Sequence, residues 1–92
     1  MALLDDSEID ERLSGSSWRH EGGEIVRDLD VPDFAAAVAL VNEVADAAEE
    51  ANHHPDILVH GYNKVRITLS THSAGGVTDA DIAMAATIDQ IV

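Results

Sequence analysis

An α+β fold is predicted, a single domain in the order α-β-β-α-β-β-α whose four-stranded antiparallel sheet carries its helices on one face. Three observations predict it. Residues 64 to 71 alternate strictly between polar and apolar, as a strand covered on one side does. Residues 33 to 51 repeat apolar side chains at intervals of three and four, the period of an amphipathic helix. Glycine-bearing breaks at Gly22-Gly23 and Gly61 separate short extended runs and favour two hairpins, each preceding a helix. The 92 residues show no break in composition, so one domain over 1 to 92 is expected.

Residues 5 to 13 open the chain with Ser7 three places before Asp10 and Ile9 four before Leu13, which suits a short capped helix. The polar loop Ser14-Gly15-Ser16-Ser17 leads into Trp18-Arg19-His20 and, past the two glycines, a return strand from Glu24 to Leu29. Trp18 reads as core or interface packing, because large aromatics dominate small cores. Pro32 and Asp33 precede the central helix, and proline is tolerated in a first helical turn. In that helix Phe34, Val38, Val41, Ala45 and Ala48 form the stripe expected to face the sheet, while Glu43, Asp46, Glu49 and Glu50 fall largely off it. Pro55 should end the helix, leaving Asn52, His53 and His54 at or just beyond its C-terminus.

The second hairpin pairs Asp56-Ile57-Leu58-Val59-His60 with the alternating run, in which Val65, Ile67 and Leu69 share one face and Lys64, Arg66, Thr68 and Ser70 the other. Ser73-Ala74-Gly75-Gly76 reads as a loop. Thr78-Asp79-Ala80-Asp81 opens a last helix, continued at helical period by Ile82, Ala85 or Ala86, and Ile88 or Asp89.

Composition excludes several functions. Acidic residues number 18 against 5 Lys plus Arg, a formal net charge of −13, which opposes direct binding of nucleic acid or anionic membranes. A solvated acidic surface is the ordinary reading of such a balance, and adaptation to a salty cytoplasm a weaker one. Without cysteine the chain has neither a disulfide framework nor a cysteine-built zinc site. No apolar run approaches the roughly 20 residues that span a bilayer, and the N-terminal residues lack the pattern of a signal peptide, so a cytoplasmic location is expected.

Chemistry concentrates on histidine. Of five in the chain, His53 and His54 stand together before Pro55, and His72 ends the alternating run. Imidazole both gives and takes protons near neutrality, as a reaction that loses water requires. The segment Glu49-Glu50-Ala51-Asn52-His53-His54-Pro55-Asp56, followed by Tyr62-Asn63-Lys64-Val65, Leu69-Ser70-Thr71-His72 and Gly76-Val77-Thr78-Asp79-Ala80-Asp81-Ile82, closely resembles the pterin-4a-carbinolamine dehydratase family. The resemblance covers about half the chain. His-His-Pro alone is a weak signal; the three motifs in this order and spacing are specific.

This resemblance implies dehydration of a 4a-hydroxytetrahydropterin to the quinonoid dihydropterin, a lyase reaction that recycles the pterin of aromatic amino-acid hydroxylases. It implies His53 and His72 as the catalytic acid and base, one assisting loss of the 4a-hydroxyl and the other handling the ring-nitrogen proton. His54 would orient the pterin. Substrate contacts are implied at Asn52, His54, Pro55, Ser70, Thr71 and Ser73, with Glu49 and Asp81 as acidic residues near the site. The pterin is substrate, no cofactor is expected, and a homodimer or homotetramer is implied, together with a functional link to a hydroxylase. Animal relatives carry an aromatic pair soon after His-His-Pro and a connection one residue shorter; Ile57-Leu58-Val59-His60-Gly61 stands here, which takes away a stacking partner and should affect affinity before activity.

Structural readings stand beside these. His53 and His54 could cap a helix C-terminus, Asp81 sits at capping-box spacing from Thr78, Glu49 could be solvated helix surface, and His20 and His60 read as ordinary strand or surface residues. A zinc site is the chemical rival, but adjacent histidines project in different directions, and no metal is expected. A non-catalytic dimerisation or assembly module on the same fold is the other alternative.

Overall fold

The computed structural model describes residues 2–92, and it forms one small domain with the expected order of elements. Helix α1 (Asp6–Leu13) begins at Asp5, whose carboxylate accepts the Glu8 amide at 2.8 Å while Glu8 reaches back to the Asp5 amide. The capping pair is therefore Asp5 and Glu8, not Ser7 and Asp10: a Glu at the third helical position is long enough to return to the cap. Strands β1 (Arg19–Glu21) and β2 (Glu24–Asp30) turn at Gly22, whose φ of 60° favours glycine.

Helix α2 (Phe34–Ala51) starts from Asp33, which caps the Ala36 amide at 2.8 Å, so Pro32 lies outside the helix rather than in its first turn. Strands β3 (Asp56–His60) and β4 (Lys64–Leu69) form the second hairpin, and α3 (Asp79–Ile91) closes the fold. Strand β4 stops at Leu69, so His72 does not end it but begins a single 3-10 turn, His72–Ala74.

The strand order is β1-β2-β4-β3, antiparallel throughout. The two hairpins thus join through their second strands, with Ile25 opposite Leu69 and Leu29 opposite Val65. Ile25, Val65, Ile67 and Leu69 form the covered face, against which Ile9 of α1, Ala37, Val44 and Ala48 of α2, and Met84, Ala85 and Ile88 of α3 are buried, with Trp18 and Val77 completing the core. Trp18 is core, and its indole Nε1 donates to Asp89 at 2.8 Å. The uncovered face carries charge: Arg66 holds Asp28 bidentately at 2.8 and 3.2 Å, Arg19 reaches the same carboxylate at 2.8 Å, and Lys64 meets Asp30 at 3.2 Å.

The buried face of α2 also differs from the expected one. Of the stripe Phe34, Val38, Val41, Ala45 and Ala48, only Ala48 is buried: Phe34 is 56% and Val38 41% exposed, while Ala37 and Val44 are buried with Ala48, and Leu40 and Ala47 pack against the core. Over most of the helix, Ala37, Leu40, Val44 and Ala47 replace the expected positions one residue later, a rotation of about 100°. Alanine at so many positions makes both stripes apolar, and the small Ala37 and Ala48 let α2 approach the sheet. No helix among the described residues is long and apolar enough to cross a membrane.

Candidate active site

The end of α2 aims the first two histidines. Asn52 adopts left-handed geometry (φ 50°, ψ 42°) and donates to Glu49 O at 3.2 Å, while the His53 amide donates to Ala48 O at 3.1 Å. This double closure is a Schellman motif, and it stops the helix at Asn52, three residues ahead of Pro55. Pro55 then holds His54 in extended geometry, and successive side chains of an extended chain diverge. His53 accordingly turns inward, only 18% of its side chain exposed, with Nε2 at 2.5 Å from Asp81 Oδ1. His54 turns outward and bonds the exposed Glu49 through its own Nε2.

Asp81 sits at the start of α3 with no exposed surface. Its Oδ2 accepts the Thr78 amide at 2.9 Å, completing a capping box with Thr78, and the Thr71 hydroxyl at 2.8 Å. Burial of a carboxylate is costly unless donors surround it, and here three donors and a helix N-terminus do so. Both readings of Asp81 hold in part: it caps α3 and it bonds His53. An ionised carboxylate only accepts, so the hydrogen between the two groups resides on His53 Nε2. That leaves Nδ1 as the nitrogen available for proton exchange.

The chain between β4 and α3 presents the third histidine. Thr71 pairs with Gly76 through its amide at 2.8 Å, and its carbonyl accepts from Ala74 and Gly75 at 3.0 and 2.9 Å. Gly75, at φ 80°, closes the turn. His72 and Ser73 project from it exposed, and Ser70 is half-buried before it.

The structure therefore links His53, Asp81 and Thr71 by hydrogen bonds and sets His72 one residue from Thr71. His54 and Glu49 form a separate exposed pair, while Asn52 and Pro55 shape the backbone that carries both histidines. Thr78 adds to the set: fully buried, its hydroxyl lies 2.8 Å from that of Thr71, although its spacing in sequence signals only a helix cap. Asp56 opposite Thr68 holds the start of β3 beside the end of β4, next to this site, and the turn at Gly61 and Tyr62 lies at the far end of the same hairpin. Ile57 and Val59 pack against the core and Leu58 is 54% exposed on the outer face. Among the described residues no three His, Asp or Glu side chains group as a metal centre would require.

A family model described as pterin 4 alpha carbinolamine dehydratase matches residues 2–91. A protein of Roseiflexus castenholzii, provisionally named a pterin-4-alpha-carbinolamine dehydratase, is 48% identical over 92 residues, covering 99% of this chain and 98% of the relative. A protein of Acidobacterium capsulatum with the same provisional name is 47% identical over the full length of both chains. Among solved structures, a transcriptional coactivator/pterin dehydratase from Brucella melitensis superposes with a TM-score of 0.89 at 35% identity, over 98% of each chain. A pterin dehydratase-like protein identified as a RuBisCO assembly factor in the alpha-carboxysome gives a TM-score of 0.68 at 29% identity, over 84% of this chain and 90% of that one.

Proposed function

The chain belongs to the pterin 4 alpha carbinolamine dehydratase family, and from that premise we propose that it dehydrates a 4a-hydroxytetrahydropterin to the quinonoid dihydropterin by histidine acid-base catalysis. The observation that carries this reading is the buried Asp81 bonded to His53 Nε2. A carboxylate behind an imidazole fixes its tautomer and orientation, which suits His53 to act as base. His53 Nδ1 takes the proton from the pterin ring nitrogen, the electrons of that bond form the double bond to C4a, and the C4a–O bond breaks. His72, exposed on its turn, gives a proton to the departing hydroxyl, which leaves as water. His54, held by Glu49, orients the pterin, together with the backbone and side chains around Asn52, Pro55, Ser70 and Ser73.

The protein acts in the cytoplasm as a homodimer or homotetramer, functionally linked to an aromatic amino-acid hydroxylase and without direct contact to nucleic acid. The exposed apolar stripe of Phe34 and Val38 supports self-association. A second reading, a non-catalytic assembly module, is favoured by the likeness to the alpha-carboxysome assembly factor. The test generates the carbinolamine with a phenylalanine hydroxylase and follows its decay spectroscopically. Acceleration by this protein is expected; decay at the uncatalysed rate would leave the assembly reading in its place.

A further inference from the structure

Thr71 is tied to both candidate catalytic histidines. Its hydroxyl donates to Asp81 Oδ2 at 2.8 Å, and the other oxygen of that carboxylate holds His53 at 2.5 Å. Its amide and carbonyl make the bonds to Gly76, Ala74 and Gly75 that shape the turn on which His72 stands. The residue is only 8% exposed, so the hydroxyl is committed inward.

The direction of these bonds follows from the donors. The Thr78 amide can only donate to Asp81, and an ionised Asp81 can only accept, so the Thr71 hydroxyl spends its hydrogen on Asp81. Thr71 Oγ1 then receives the Thr78 hydroxyl across 2.8 Å, while Thr78 Oγ1 accepts the Ala80 amide at 3.2 Å. The bonds converge on the carboxylate, from the α3 backbone through two threonines on one side and from the His53 imidazole on the other. Pinned by two donors on Oδ2, the carboxylate has little freedom to turn about its Cβ–Cγ bond, and Oδ1 stays aimed at His53.

We infer that Thr71 is a positioning residue for the dehydration: its hydroxyl orients Asp81, which holds His53 with the hydrogen on Nε2, while its backbone sets His72 at a fixed offset from that imidazole. The inference rests on the dehydratase reading above. It differs from a role in substrate contact, because the hydroxyl faces the protein and not the open side of the site.

The test compares Thr71→Val, which keeps the shape and removes the hydroxyl, with Thr71→Ser, which keeps the hydroxyl. For Thr71→Val, kcat is expected to fall about tenfold or more with KM changed less than about threefold, and Thr71→Ser to recover most of the loss. Imidazole nitrogen NMR should show His53 with hydrogen on Nε2 in the native protein and in Thr71→Ser, and a mixed tautomer in Thr71→Val. If Thr71→Val does not fold, Thr71→Ala takes its place against Thr71→Ser with the same expected split. A folded hydroxyl-free variant with native kcat and tautomer would overturn the inference, as would a serine variant as impaired as the valine one or a loss confined to KM. The NMR result is independent of turnover, so an inactive native protein would sink the dehydratase reading while the spectra still decide whether Thr71 positions His53.

Discussion

His53 and His54 are adjacent, yet the structure gives them different surroundings. Asn52 closes α2 in left-handed geometry and Pro55 extends the chain behind it, so one imidazole meets the buried Asp81 and the other the exposed Glu49. Different roles should then give different mutational costs. His53→Ala and His72→Ala are each expected to lower kcat at least about tenfold, the lower end of general acid-base effects, whereas His54→Ala should act mainly on KM. Steady-state kinetics on the carbinolamine separates the two, and a double variant of His53 and His72 with native turnover would remove both from the mechanism. The two histidines and Asp81 were legible as motif residues. So was the capping pair of Thr78 and Asp81, but the bond from the Thr71 hydroxyl to Asp81 was not, because a hydroxyl ten residues from a carboxylate in sequence meets it only once β4 and α3 pack together.

Among the elements, α2 shows the limit of periodicity. Phe34, Val38, Val41 and Ala45 repeat as regularly as Ala37, Leu40, Val44 and Ala47, with Ala48 in line with the first set yet buried, and only packing against the sheet selects the second. Val44→Ala is therefore expected to cost about 1.5–3 kcal/mol in chemical denaturation, the scale for a buried valine. Phe34→Ser should leave the stability of the isolated monomer within about 0.5 kcal/mol. A larger, concentration-dependent loss at Phe34 would report an interface through that stripe. On the outer face of the sheet, the bonds from Arg66 lower the Asp28 pKa to about 2 against partial burial, with Arg19 adding to the effect. A lowered carboxylate pKa stabilises the fold while the group is ionised. Asp28→Asn should thus be less stable than the native protein near neutrality, and the difference should close as pH falls from about 4 through about 2. Parallel denaturation series across that range measure it; a difference that persisted unchanged to pH 2 would contradict the assignment. Solvent screens this exposed pair, so the effect is modest.

At the scale of the whole molecule the charge balance governs. All five basic side chains meet acidic partners: Arg12 with Asp79, Arg19 with Glu21 and Asp28, Arg27 with Asp89, Lys64 with Asp30, and Arg66 with Asp28. The excess of negative charge is left to repel itself across a surface that salt screens over about 10 Å at 0.1 M. The melting temperature should therefore rise with added salt, and a midpoint indifferent to salt would show that the repulsion does not reach the folded state. By itself the sequence determined the order of elements, the two hairpins, the absence of a cysteine-based site and the motifs in which His53, His54 and His72 stand, because local period, turn residues and motif spacing act over short stretches of chain. Only the tertiary structure decided that β2 pairs with β4, which face of α2 is buried, and that His53, Asp81, Thr71 and Thr78 form one connected set. Those contacts join residues far apart in sequence, and burial, which no local pattern records, selects them.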